Sequence, residues 1–402
     1  MSSADASTGA LARCVGDAGT FRSQVFGTAP HLQRGGTGFD DLLSLTDVDR
    51  LLTGHGLRSP AVRLVRDGDP LDPAGYTRSA RTGRRRIDDL IDPGRVLDLH
   101  ADGATVVLQS LQRWWPAITR FCRDLELALG HAVQANAYLT PAGAAGLAAH
   151  HDTHDVLVLQ VHGTKRWLVR EPVVRAPLER HTSDRSLAAT QPPVLEARLA
   201  PGDALYLPRG FVHSAEAQAG VSLHITVGIL ATTVHDVLTA VVSRATGDAR
   251  FRRSLPVGAG FDPGVATQAV KSAIADFAAW LDQLDPASVA DDVRERFLTS
   301  RLPLLEGHLL EIGRLGMIAD HTVVGVRPGT VHHRRTDGER LVLSLGDRHL
   351  ELPAALEPAL DRLLDGAPLR VGELAGILDH DSRLVLARRL VREGLLRIVP
   401  DV

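Results

Sequence analysis

The run His150-His151-Asp152-Thr153-His154-Asp155 places five possible metal ligands within six residues. On an extended strand alternate side chains share a face, so His150, Asp152 and His154 point one way and His151, Thr153 and Asp155 the other. His150 and Asp152, two residues apart, make a ligand pair, and His213 could add a third ligand from a distant strand. Two imidazoles and one carboxylate on one side of a metal leave the opposite positions open, the arrangement used by non-haem Fe(II) oxygenases. His154 borders the apolar positions Val156 and Val158 and reads as a hydrogen-bonded wall residue. A structural zinc site would close with four protein ligands, often cysteine, yet Cys14 and Cys122 lie outside the motif. Mn, Ni or Co could occupy the same ligands in place of iron.

The elements that must position these groups can be read on either side. In the segment Gly202 to His213, GDALYLPRGFVH, a turn at Pro201–Asp203 launches a strand over Ala204–Leu207. Pro208 ends that strand, and Gly210 permits the bend that returns His213 inward. The first half runs from Gly146 to Trp167. Between about 131 and 229 the stretches HAVQANAYLT, DVLVLQVHG, KRWLVRE, ALYLP and SLHITVGIL predict short strands with tight turns, hence a β-barrel or sandwich. Asn136, Tyr138 and Thr140 alternate along one of them, facing either a pocket or water at a sheet edge. His224, in the last, is either an outer support of the metal site or a hydrogen-bonded core histidine.

Residues 1–20 are small and polar and read as a flexible tail. From 21 to about 129 short apolar stretches alternate with Asp-Pro punctuation, and Gln112–Leu129 has helical spacing. After Leu230 the pattern turns helical: Val270, Ile274, Phe277, Leu281 and Leu284 build one apolar face over Ala269–Leu284. That face is covered either internally or by a second copy of the chain. From about 319 short strands (TVVGVRPG, RLVLSLGDRHLELP) precede helices over Ala354–Leu364, Val371–Leu378 and Ser382–Glu393, with a closing strand LLRIV. This order predicts a winged-helix module. Its Arg383, Arg388, Arg389 and Arg392 lack aromatic interleaving and read as a solvated face instead of a DNA-reading one, so a protein-contact or structural role is expected.

At 402 residues two or three domains are expected. No apolar run approaches the ~20 residues of a membrane helix. A net charge of −3 gives no global attraction to nucleic acid. Two cysteines and an N-terminus without a charged start and apolar stretch predict neither a disulfide framework nor a secretory signal, and so a cytoplasmic protein.

The block GLAAHHDTHDVLVLQVHGTKRW, with PGDALYLPRGFVH and SLHITVGIL, resembles the JmjC-type cupin oxygenases, in particular the ribosomal oxygenase group. The spacing from Gly202 through Pro208 and Gly210 to His213 is similar to the second cupin motif. The resemblance implies an α+β fold: a double-stranded β-helix (cupin/JmjC jelly roll) over 21–230, a helical dimerisation region over 231–318 and a winged helix over 319–402, hence a homodimer. It implies Fe(II) on His150, Asp152 and His213, and 2-oxoglutarate as co-substrate with its distal carboxylate on Lys165. By residue type alone, Lys165 beside Trp167 would be a snorkelling surface lysine. Asn136, Tyr138, Thr140 and His224 become pocket residues. The implied activity is hydroxylation of a protein or peptide side chain, with ribosomal proteins as the group's targets. Open alternatives are a peptide natural product or small molecule as substrate, or a non-catalytic cupin scaffold that binds a partner or DNA. Ala217 stands where the general motif often has Asn, and Ala149 where relatives often have Pro; neither removes a ligand.

Overall fold

The computed structural model describes residues 3–144, 148–181 and 191–400, with side chains from residue 9 onward; Gly146, at the head of the first motif, lies outside them. The chain divides into two units, Met1–Ala231 and Thr232–Val402. In the first, the strands are β1 (His31–Gln33), β2 (Val62–Arg66), β3 (Asp69–Pro70), β4 (Thr77–Thr82), β5 (Arg85–Ile91), β6 (Thr105–Leu108), β7 (Ala132–Thr140), β8 (Asp155–His162), β9 (Lys165–Arg170), β10 (Leu195–Leu199), β11 (Ala204–Leu207), β12 (Val212–Ala217) and β13 (Ser222–Leu230). Eight of them form one antiparallel sheet in the order β1-β11-β8-β13-β7-β6-β2-β3, and β10-β9-β12 form a second. This is a jelly roll with helices.

Strand β8 shows why the sheets stack. Val156 and Val158 pack with Trp167, Val169, Leu205 and Phe211 in the layer between the sheets. Leu157, Leu159 and Val161 turn to the outer core. Both faces are covered, so the strand reads as a continuous apolar run instead of an alternating one. The helix Pro116–Leu129, with Pro116 opening it and Gly130 in the left-handed conformation closing it, lends Ile118, Phe121 and Leu125 to that core.

The expected flexible tail needs correction within residues 9–20. Helix Ser3–Val15 packs beside Pro116–Leu129, and Leu11, Cys14, Val15 and Ala18 are buried. These apolar positions recur at three and four, a helical signal that the small neighbouring residues obscure. Of the two readings open for β7, the water-facing edge falls away: the strand lies between β13 and β6, inside the large sheet, and Thr140 is buried.

In the second unit, helices Val234–Ala245, Pro263–Leu281 and Pro286–Thr299 open on Thr233, Asp262 and Asp285, whose side chains accept from first-turn N–H groups. The expected helix over Ala269–Leu284 therefore starts earlier, at Pro263. Its Val270 and Ile274 are 53% and 63% exposed, so the unit itself leaves this stripe uncovered. Further strands are β14 (Val323–Val326), β15 (His332–Asp337), β16 (Arg340–Leu345), β17 (His349–Pro353), β18 (Leu369–Arg370) and β19 (Leu396–Ile398). They form the sheets β18-β14-β19 and β15-β16-β17, packed with helices Glu357–Leu364 and His380–Arg392 around one core. The helix expected over Val371–Leu378 is a 3₁₀ segment, Val371–Gly376. No described helix is long and apolar enough to cross a membrane.

Candidate metal centre and pocket

His150, Asp152 and His213 come together, with one ligand atom of each within 4.8 Å of the others. The strand expected to carry the first two is absent. His150 makes an isolated bridge to His213, and β8 begins only at Asp155. What fixes the pair is a reciprocal main-chain exchange: His150 N–H donates to His213 O at 3.1 Å, and His213 N–H to His150 O at 2.8 Å. Gly210 N–H donates to Asp152 O at 3.0 Å, joining the bend before His213 to the carboxylate's own backbone. Gly210 has φ +90°, and a Cβ there would lie 2.4 Å from Val174 O; only glycine fits that bend without strain.

Each imidazole is held alike. His150 Nδ1 lies 2.7 Å from Ala148 O and His213 Nδ1 3.1 Å from Phe211 O. Carbonyls only accept, so each Nδ1 carries the proton and each Nε2 presents a lone pair. His213 Nε2 stands 3.6 Å from Asp152 Oδ2. Burial first, and then the neighbouring His150, push the His213 pKa down to about 4, which keeps the ring neutral and able to ligate. His151 turns away to His181 O at 3.2 Å. His154 lines the cavity and presses on Gly228, where a Cβ would meet its ring at 2.6 Å.

The triad opens into a cavity of about 310 Å³, within the range of small-ligand pockets. Register explains its wall. Thr226 of β13 lies opposite Asn136 and Val158, and His224 opposite Tyr138; opposed residues share a face. The Tyr138 and His224 rings stack at 4.9 Å, and Trp167 meets His224 edge-on at 5.5 Å. Asn136 Oδ1 accepts from Ser110 N–H at 3.0 Å, so this side chain also fixes the wall.

Lys165 is 2% exposed. Its Nζ donates to Thr140 Oγ1 at 3.0 Å, and no carboxylate pairs with it among the described residues. Burial pulls its pKa down to about 7. His224 Nδ1, Trp167 Nε1 and Gln160 Oε1 are buried without hydrogen-bond partners. Burial, and then the charge of Lys165, hold His224 well below the usual histidine range. Trp167 Nε1, a buried donor left unsatisfied beside a lone ammonium, is costly in a closed protein and suits an anion that completes it, whereas Gln160 Oε1 is an acceptor. Several lining residues went unnoticed in sequence, among them Gln134, Thr226 and, the only charged one, Arg63 of β2. Nothing in VRLVR marks it; only the strand register turns it to the cavity.

Residues 108–237 match the family model described as JmjC domain. Ribosomal oxygenase 1 of Rattus norvegicus is 36% identical over 234 residues, 54% of this chain and 36% of that protein. Ribosomal oxygenase 2 of Mus musculus is 26% identical over 363 residues, 79% of this chain and 77% of that protein. The chain thus spans about a third of the length of the first of these relatives. Among solved structures, the Escherichia coli ribosomal oxygenase YcfD in complex with cobalt and 2-oxoglutarate aligns with a TM-score of 0.54 at 16% identity, covering 96% of this chain and 99% of that one. At that identity the likeness speaks for the fold.

Proposed function

We propose, from the JmjC domain that residues 108–237 form, that the chain is an Fe(II)- and 2-oxoglutarate-dependent oxygenase that hydroxylates a protein or peptide side chain. Ribosomal proteins are the target class that the relatives' names suggest. The observation that carries the reading is one cavity holding both a two-imidazole, one-carboxylate triad and a buried, carboxylate-free lysine.

The donor set fits the metal. His150 and His213 offer lone pairs fixed by their Nδ1 bonds, Asp152 supplies the charge, and one side stays open. The far end fits the co-substrate. Lys165 and Thr140 would receive a distal carboxylate, with Tyr138 and His224 as the stacked wall beside it and Asn136 holding that wall. With iron and 2-oxoglutarate bound, one atom of dioxygen enters the target C–H bond and the other enters succinate as carbon dioxide leaves. The protein's own part is to hold these groups in one orientation and keep water from them, which the buried Trp167, Val156 and Val158 do.

Outside the jelly roll we assign 231–318 as a helical dimerisation region and 319–402 as a winged helix, with residues 21–230 as the oxygenase domain. Exposed Val234, Leu238 and Val242 on one helix and Val270 and Ile274 on the next support a homodimer through this region. DNA reading is disfavoured because Arg383 grips Asp320 through two 2.7 Å bonds, Arg388 donates to Ile318 O and Arg389 pairs with Glu393. Buried, unpaired Cys14 and Cys122 suit the reducing cytoplasm. The test is succinate formation that requires both Fe(II) and 2-oxoglutarate. Asp152→Ala should reduce it below ~1% of wild type, since even losing a ligand's outer support costs 10- to 100-fold. Turnover that survives this change would overturn the reading.

A further inference from the structure

Arg63 is unlike every other cation near the cavity. It belongs to β2, opposite Val107 of β6, which lies opposite Tyr138 of β7, which lies opposite His224 of β13. The four form one row on the inner face of the large sheet, and Arg63 lines the cavity at the end of that row. Its Nε is buried with no hydrogen-bond partner, and no ion pair to it is present among the described residues. Arg63, Tyr138 and Asp152 all line the same cavity. A structural arginine in this protein looks different: Arg327, which is more deeply buried than the half-buried Arg63, bonds Glu311, His308 and the carbonyls of Glu306 and Gly394.

The charged groups lining the cavity are Asp152, Lys165 and Arg63. On the reading above, the metal takes Asp152 and the co-substrate's carboxylate takes Lys165. Among the described residues, Arg63 is then left as an unpaired cation, and no lining carboxylate remains to receive a cationic target. We infer that Arg63 determines specificity: it donates to a hydrogen-bond acceptor on the target residue, a carboxylate or a neutral amide or imidazole, and excludes ammonium and guanidinium side chains. The physical basis is the asymmetry of buried polar groups. An acceptor completes the guanidinium's donors, whereas a second cation meets an uncompensated like charge.

This inference rests on the oxygenase reading, and the test separates the two. The full chain with Fe(II) and 2-oxoglutarate is given a set of short peptides identical except for one central residue: Asn, Asp, His, Lys or Arg. Hydroxylation is read as a 16 Da gain at that residue, and affinity by fluorescence anisotropy without oxygen. Wild type should favour acceptor residues over Lys and Arg by at least ~10-fold. Preference for Asp over Asn marks a carboxylate partner, parity marks a neutral one, and either supports the inference. Arg63→Glu should invert the order, and Arg63→Gln should lose the discrimination against Lys with a rise in KM larger than any fall in kcat. Hydroxylation of the Lys or Arg peptide by wild type within ~10-fold of the acceptor peptides, or an unchanged order in both variants, overturns the inference. So does failure to modify any peptide by a preparation that converts 2-oxoglutarate to succinate. A wild-type preparation that forms no succinate overturns the oxygenase reading itself.

Discussion

Two cations are buried to nearly the same degree, one in each unit, and their surroundings differ completely. Lys165, in the jelly roll, has Thr140 as a partner and two donor positions to spare. Arg327, in the second unit, is satisfied by Glu311, His308 and two main-chain carbonyls. Burial alone therefore says little about role. A satisfied buried cation belongs to the architecture, whereas an under-satisfied one beside a cavity reserves donors for something that arrives later.

The comparison can be broken from either side. Arg327→Met should have the larger effect, because it leaves the half-buried Glu311 without its cation. The unfolding transition of the second unit should lose ~3–5 kcal/mol in a urea titration, with 2-oxoglutarate affinity unchanged; a loss of co-substrate binding instead would erase the distinction. Lys165→Met should weaken 2-oxoglutarate binding by ~10- to 100-fold, the range expected for a charge-assisted hydrogen bond, as measured by calorimetry. Without co-substrate the same variant should melt no lower than wild type, since it removes an uncompensated charge.

Lys165 also has a pH signature. Its folded pKa, about 7, lies below its ordinary 10.5, so between those values the unfolded chain binds the extra proton. The destabilisation is fully present below about pH 7 and is relieved as pH rises through the window towards 10.5. Stability of the unliganded protein should therefore rise across that window more in wild type than in Lys165→Met, read as melting midpoints. The smallest effect belongs to Arg340→Gln, which breaks a solvent-facing pair with Glu351 and should leave the melting midpoint unresolved from wild type.

The ligand spacing and the bend at Gly210 were legible in the sequence, because each depends on local chemistry; Lys165 was reached only through the family resemblance, since its residue type alone reads as a snorkelling surface lysine. Several features were not. His150 and Asp152 precede β8, so strand alternation picked the pair for a reason the backbone does not supply; the cross-chain bridge does. Arg63 acquires meaning only through the register β2-β6-β7-β13, which joins residues up to 161 positions apart. The segment around Leu11 and Cys14 hid its helix among small residues, because packing against Pro116–Leu129 decides its fate more than composition does.

The reciprocal bridge between His150 and His213 also bears on assembly. Its two members are separated by 63 positions and lie outside the long ladders, so closing it carries the entropy cost of a long loop unless β8, β9 and β12 already hold its ends together. The geometry of the triad therefore reports on the integrity of those strands. A metal bound there favours the closed bridge by mass action, and by the same linkage any change that frays the bridge lowers metal affinity without touching a ligand. Damage in a distant strand can then surface first as poor metal retention, well before the protein unfolds.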